Sequence, residues 1–179
     1  MAPGMEWHLA EAPTIACLKV MGYVVVSSPN HASLRDGDNQ VLFRPDLIEA
    51  LKRINGISDA DANAAYADLV SISDNEVWLS ILRGNFSRTV EGKVTRQTLR
   101  VIDFLDPSRN VFTVTNQFKV KAEKTRIADI VVHVNGIPLV VIECKSPINA
   151  KDKTGEAFEQ IKQYERDIPR LFLSNCFNI

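Results

Sequence analysis

Apolar positions along this chain recur first at helical spacing and later in alternation, and the change falls near residue 97. Residues 1–8 read as a lead-in. Within 11–21, Ile15, Leu18 and Met21 lie on one helical face, and Gly22 follows as a C-terminal cap. Residues 23–26 (Tyr-Val-Val-Val) read as a short strand, and 27–40, rich in Ser, Asn, Asp and Gly, as a loop. Pro45 opens a helix over 45–54 that carries Leu47, Ile48 and Leu51 and stops at Asn55-Gly56. Ser58 or Asp59 caps a second helix, 60–71. A third, 75–82, turns Val77, Trp78, Ile81 and Leu82 to the core before Gly84-Asn85 breaks it. Sheet character then begins. Residues 98–104 are β-rich, 106–110 form a turn cluster, and 111–115 with 118–120 continue as a half-buried strand. After the hairpin described next come a polar loop from Ser146-Pro147, a helix over about 155–167, and a strand at 171–173. There is no internal repeat.

The stretch 127–145 organises the rest. Two apolar strands meet at Asn135-Gly136, the strongest short-range hairpin signal. The second, 139–142 (Leu-Val-Val-Ile), is apolar without alternation, as in a strand covered on both faces. It ends in Glu143-Cys144-Lys145, and its partner begins with Asp129. Three charges at one end of a buried hairpin are costly unless they pair, hold a metal or open onto a cleft. A strict two-residue turn would set Asp129 opposite Ile142 and send Glu143 to the other face. For the two carboxylates to meet, the hairpin needs a one-residue offset: a three-residue loop, a bulge or a distorted strand start at Asp129. Pro138, which cannot donate to the ladder, makes such an irregularity natural.

Composition adds limits. The 179 residues suffice for one well-buried domain, and 45% apolar with 24% charged positions is ordinary for a globular protein. A net charge of −1 announces no nucleic-acid partner by bulk basicity. Locally the picture differs: 119–170 holds ten Lys or Arg against eight Asp or Glu, including Lys124, Arg126, Lys151 and Lys153 around the hairpin, a candidate phosphate-tracking surface. The competing reading is an ordinary solvated face. Cys17, Cys144 and Cys176 form neither a metal pattern nor a disulfide framework, which fits a reducing, cytoplasmic setting. No run approaches membrane-spanning length, and residues 1–10 contain no secretory h-region. The chain stops soon after its last expected strand, as a cut through a larger protein would.

Two carboxylates a few Å apart repel, and one takes up a proton unless a cation lies between them. With oxygen ligands and no His/Cys set, the ion expected is Mg²⁺ rather than zinc. Asp129 and Glu143 would be ligands, with the backbone carbonyl of Cys144 a third. Lys145 would orient the nucleophile and offset charge in the transition state. Gln160 and Tyr164, four apart on the following helix, share a face, with Glu156 one turn back. Gln160 could position Lys145 or a phosphate, and Tyr164 could touch a nucleic-acid backbone. The bland alternatives are a rim ion pair at a strand end and an amphipathic helix in which Tyr164 packs with Ala157 and Ile161. His133 reads as structural and the Cys144 side chain as core.

Asp129, then Glu143-Cys144-Lys145, then Gln160-x-x-x-Tyr164 resembles the PD-(D/E)xK nuclease superfamily with its Q-x-x-x-Y extension. Asn116-Gln117-Phe118, Ala128-Asp129-Ile130-Val131, Asn135-Gly136-Ile137-Pro138-Leu139 and Ile142-Glu143-Cys144-Lys145-Ser146-Pro147 are similar to one branch. That branch is the N-terminal endonuclease domain of the restriction (motor) subunit of type I restriction–modification enzymes. Gly22-Tyr23, 101–104 (Val-Ile-Asp-Phe) and 110–112 (Asn-Val-Phe) agree with it. The resemblance implies a mixed α/β fold with a central sheet of about five strands, flanked by helices, and a mainly helical N-terminal half. The chain would be a single domain, 1–179, with 1–96 the mainly helical part and 97–179 the nuclease sheet core. It implies Mg²⁺-dependent cleavage of double-stranded DNA, methyltransferase and specificity subunits as partners, and ATP-driven translocation by motor domains outside these residues. No G-x-x-x-x-G-K-[ST] occurs here. The branch usually has Leu where Cys144 stands, and the superfamily often adds an acid from the first helix, for which Glu11 is the candidate. A stand-alone repair or junction nuclease and a non-catalytic DNA-binding or docking module are the rival readings.

Overall fold

The computed structural model describes residues 7–28, 30–145 and 153–179. The helical spacing of the first half becomes helices with identifiable starts and stops. A π-helical turn, Trp7–Glu11, leads into α1 (Ala12–Val20), with Pro13 in its first turn. After β1 (Val24–Val26), α2 (Arg44–Asn55) begins with Pro45 and ends at Gly56, whose φ of +63° is the left-handed cap that glycine adopts without strain. The Ser58 hydroxyl accepts from the Asp61 N–H to start α3 (Asp59–Ser71). Asp74 accepts from the Val77 N–H to start α4 (Asn75–Leu82). In α4, Trp78, Ile81 and Leu82 are buried but Val77 is exposed, because it falls at the edge of the arc those three define.

Two short strands, β2 (Phe86–Arg88) and β3 (Gln97–Leu99), pair antiparallel by themselves. The main sheet adds β4 (Phe112–Lys121), β5 (Thr125–Val134), β6 (Ile137–Ile142) and β7 (Phe177–Asn178) in the order β1-β4-β5-β6-β7. The two outer pairs, β1 with β4 and β6 with β7, are parallel, and the inner pairs are antiparallel. Residues of α2, α3, α4 and α5 (Lys153–Asp167), among them Leu47, Leu51, Leu69, Trp78 and Ile161, form the larger core with the sheet. Ile15 and Leu18 of α1 pack against Val114, Ile130 and Val132 on the other side. The sheet is thus covered on both faces, which is why its strands are so apolar. No helix among the described residues is long and apolar enough to cross a membrane.

The sheet is irregular at one place that positions the site. In β4, Val114 belongs to the α1 side, yet Phe118 and Val120, of the same parity, belong to the other core. In β5, Ile130 and Val132 lie on the α1 side while Ala128 lies in the larger core. Both strands exchange faces between the pairs Asn116–Ile130 and Phe118–Ala128. Gln117 stands at that exchange with φ +50°, a left-handed conformation rare for a side chain in a strand.

Two sequence expectations are corrected. Of residues 98–104 only Thr98 and Leu99 are strand, within β3; Val101 and Ile102 are buried in a loop. Side-chain amides there take the place of a neighbouring strand. Asn55 both donates to the Arg100 carbonyl and accepts from its N–H, Asn110 does the same for Asp103, and Asn135 donates to the Val101 carbonyl. The expected strand at 171–173 is a 3₁₀ turn, Pro169–Phe172, started by the fixed φ of Pro169. Leu171 is fully buried, so the apolar signal was sound and its geometry was not. The last strand comes later, as β7.

His133 sits fully buried in β5, stacked on Phe43 with ring centroids 4.2 Å apart. Burial pushes its pKa down to about 3. It is a neutral core residue, as its mid-strand position suggested.

Candidate active site

The hairpin turn is tight: Asn135 and Gly136 have φ of +51° and +77°, as a two-residue type I′ turn requires. The offset enters just beyond it. Val134 pairs with Ile137 and His133 with Pro138, but Val132 pairs with Val140, leaving Leu139 as an extra residue next to Pro138. That bulge is one of the three forms of offset anticipated. Continued past Ile130–Ile142, the shifted register brings Asp129 opposite Glu143. Asp129 Oδ2 accepts from the Cys144 N–H at 2.8 Å, tying the start of one strand to the end of the other.

Lys145 closes the constellation. Its Nζ donates to Glu143 Oε1 at 2.7 Å and to Gln160 Oε1 at 2.6 Å. Gln160 Nε2 donates to the Tyr164 hydroxyl at 2.6 Å, and that hydroxyl donates to the Ile127 carbonyl at 2.8 Å. The relay returns to the strand that carries Asp129, two residues before it. Gln160 therefore positions Lys145. Tyr164 is buried among these groups rather than presented outward, and burial raises its pKa to about 12. The Cys144 side chain is buried beside Val114, Ile130 and Val132. An open cleft of about 790 Å³ borders the relay, lined by Thr125, Arg126, Glu156, Gln160 and Tyr164 among others.

The Glu143 side chain is 1% exposed, and its Oε2 has no hydrogen-bond partner among the described residues. Burial pushes its pKa up to about 7, against the pull of the Lys145 hydrogen bond and with the help of the Asp129 charge. A buried carboxylate oxygen with no donor, facing a second carboxylate, is what a hard cation would satisfy. The donors are all oxygen, which fits Mg²⁺ or Mn²⁺ and not zinc. No group of three or more His, Cys, Asp or Glu suited to a metal occurs among the described residues, so backbone or water oxygens would complete the shell. A raised carboxyl pKa means that the folded state binds the extra proton more tightly than the unfolded one. Its stabilisation is present below pH 4.5 and is lost as pH rises through 7. Glu143→Gln, whose amide oxygen can still accept from Lys145, is therefore expected to cost the metal-free fold less above pH 7 than below pH 4.5. It should also flatten the Tm–pH curve between 4.5 and 7, and an unchanged curve would show that Glu143 is not a buried charge.

Glu11 is buried at the start of α1 and accepts from Gln117 Nε2 at 2.9 Å; the same nitrogen lies 3.4 Å from Asp129 Oδ1. The acid expected from the first helix is thus brought within two hydrogen bonds of Asp129. Gln117 itself was not singled out. It stood in the sequence only within the Asn116-Gln117-Phe118 segment that shares in the family resemblance, with no role attached. Lys124 and Arg126 both engage Asp167, with Arg126 Nε 2.7 Å from its Oδ2. Lys153 pairs with Glu156 at 2.8 Å. Lys151 lies outside the described residues.

Comparisons with known proteins place the chain in a family. The family model for the type I restriction enzyme R protein N terminus matches residues 6–177. The chain is 32% identical over 146 residues, 75% of its length, to the type I restriction enzyme HindI endonuclease subunit of Haemophilus influenzae. It is 30% identical over 139 residues, 73% of its length, to the putative type I restriction enzyme MjaVIIIP endonuclease subunit of Methanocaldococcus jannaschii. Each match spans only 14% of the relative's own length.

Proposed function

We propose, because the chain belongs to the family of type I restriction enzyme R protein N termini, that its site is a metal-dependent endonuclease centre that hydrolyses phosphodiester bonds in double-stranded DNA. The observation that carries this reading is the convergence of Asp129, Glu143 and Lys145 at one end of the bulged hairpin, with Lys145 held by Gln160. Asp129, Glu143 and the Cys144 carbonyl would hold a divalent ion of the Mg²⁺ class. Such an ion supplies Lewis acidity toward a phosphate oxygen and lowers the pKa of a water. The residues of the chain do the rest. Glu143 and Gln160 fix the Lys145 ammonium, which stabilises negative charge developing on the phosphorane-like transition state. Tyr164 keeps Gln160 in its donor–acceptor sense. Lys124, Arg126 and Lys153 would track the DNA backbone beside the cleft, the first two by exchanging Asp167 for phosphate; Lys151 is proposed for the same role on its charge alone.

The longer subunit to which the relatives point would couple this cleavage to ATP-driven DNA translocation, in a cytoplasmic complex with methyltransferase and specificity subunits. The family match favours that setting over a stand-alone repair nuclease. The test is cleavage of closed-circular DNA by the assembled enzyme carrying Asp129→Ala. Loss of both nicking and linearisation, with ATPase activity retained, is expected. Cleavage at the wild-type rate would refute the assignment and favour a non-catalytic docking module.

A further inference from the structure

We propose that Gln117 is a positioning residue for the metal-binding carboxylate of Asp129, anchored in turn by Glu11. This inference rests on the metal-dependent reading above and extends it to a residue outside the Asp129, Glu143, Lys145, Gln160 and Tyr164 set.

Three observations carry it. Gln117 is in a left-handed conformation, φ +50°, inside a strand, where only it and the turn residue Asn135 among the described non-glycine residues have positive φ. Such a conformation persists in a non-glycine residue only where its surroundings hold it, and it concentrates at functional sites. Second, the conformation falls where β4 and β5 exchange faces, directly across from Asp129 and between the pairs Asn116–Ile130 and Phe118–Ala128. Third, the side-chain amide is spent on two carboxylates: Nε2 donates to Glu11 Oε2 at 2.9 Å and approaches Asp129 Oδ1 at 3.4 Å.

The consequence is geometric. Asp129 Oδ2 is fixed by the Cys144 N–H and Oδ1 faces Gln117, so the carboxylate plane is set from both sides while each oxygen keeps a second lone pair. A neutral amide between two carboxylates also separates Glu11 from Asp129 without adding a charge that would compete with a cation. Glu11 then serves as the anchor of Gln117, not as a direct ligand. Groups that orient ligands in this way typically change metal affinity 10–100-fold when removed.

The test is Mn²⁺ titration of the intact chain at fixed pH, with free Mn²⁺ read by electron paramagnetic resonance and Tm measured in parallel without metal. Gln117→Gly removes the amide while suiting the positive φ, and Gln117→Ala removes it and keeps the strain. Both are expected to weaken Mn²⁺ binding about 10–100-fold, and Gln117→Gly is expected to keep the metal-free Tm. Glu11→Gln, which retains an acceptor for the amide, should keep most of the affinity that Glu11→Ala loses. Wild-type affinity in Gln117→Gly would overturn this inference and leave the metal site standing. Equal losses in Glu11→Gln and Glu11→Ala would overturn the anchor role. Absence of Mn²⁺ binding by the wild-type chain would overturn both this inference and the reading it rests on.

Discussion

Replacing Lys145 with alanine is expected to reduce DNA cleavage by the assembled enzyme on the order of 10²–10³-fold or more, while leaving its ATPase activity and Mn²⁺ binding in place. The reason is the division of labour at the hairpin end. Asp129 and Glu143 supply the anionic oxygens, whereas the ammonium of Lys145 is the cation held among them by Glu143 Oε1 and Gln160 Oε1. On the proposed mechanism, removing it would take away transition-state stabilisation without removing a ligand. Lys145→Arg is expected to be nearly as inactive, because a planar guanidinium cannot replace a compact ammonium between two acceptors 2.6 and 2.7 Å away. Gln160→Ala should show an intermediate loss, since it frees Lys145 without deleting it. Single-turnover cleavage of closed-circular DNA separates these outcomes. Wild-type cleavage by Lys145→Ala would mean that the ion pair is structural.

The largest expected effect on stability lies at the other end of the same hairpin. A Cβ on Gly136 would sit 2.5 Å from the Phe43 carbonyl oxygen and 3.0 Å from its Cβ, at a φ of +77°. Neither side can yield readily. The Gly136 carbonyl accepts from the Phe43 N–H at 2.9 Å, and the Phe43 carbonyl accepts from the Leu47 N–H in the first turn of α2. Gly136→Ala must therefore break the docking of the turn on α2 or distort the turn, at a cost of about 2–4 kcal/mol. At roughly 2–4 °C per kcal/mol for a domain of this size, Tm should fall by about 10 °C. Gly92→Ala is the control: its φ of +74° is similar, but nothing lies within 4 Å of the added Cβ. Equal Tm losses in the two variants would show that backbone conformation alone matters at Gly136, and that the close approach to Phe43 does not.

Much of this was legible in the sequence, for reasons specific to each element. The helices of the first half were readable because their signals are local: Pro45 and Gly56 bracket α2, and the Ser58 hydroxyl starts α3. Asn135-Gly136 announced its turn for the same reason. A one-residue offset was inferable because one residue of slip decides whether Asp129 and Glu143 share a face; that it takes the form of a bulge was not. What escaped depends on distant partners. Residues 101–104 are not a strand: the side-chain amide of Asn135, 34 residues on, takes the Val101 carbonyl, and that of Asn110, from the adjoining turn, takes the Asp103 N–H. Leu171 is core, yet it sits in a 3₁₀ turn where Pro169 sets the backbone. Gln117 could not be singled out by spacing, since its role arises only when β4 lies beside β5 and α1 brings Glu11 to it. Asn135 was read as a turn residue alone, although its buried amide also joins Val101, Asn110 and Val111.

The most direct measurement is the anomalous scattering of crystals grown with Mn²⁺. The account predicts one strong peak about 2.2 Å from a carboxylate oxygen of Asp129 and from Glu143 Oε2, with the Cys144 carbonyl in its shell and Lys145 still joined to Gln160. A fully occupied Mn²⁺ elsewhere on the chain, with Glu143 protonated against Asp129 and no peak between them, would contradict it.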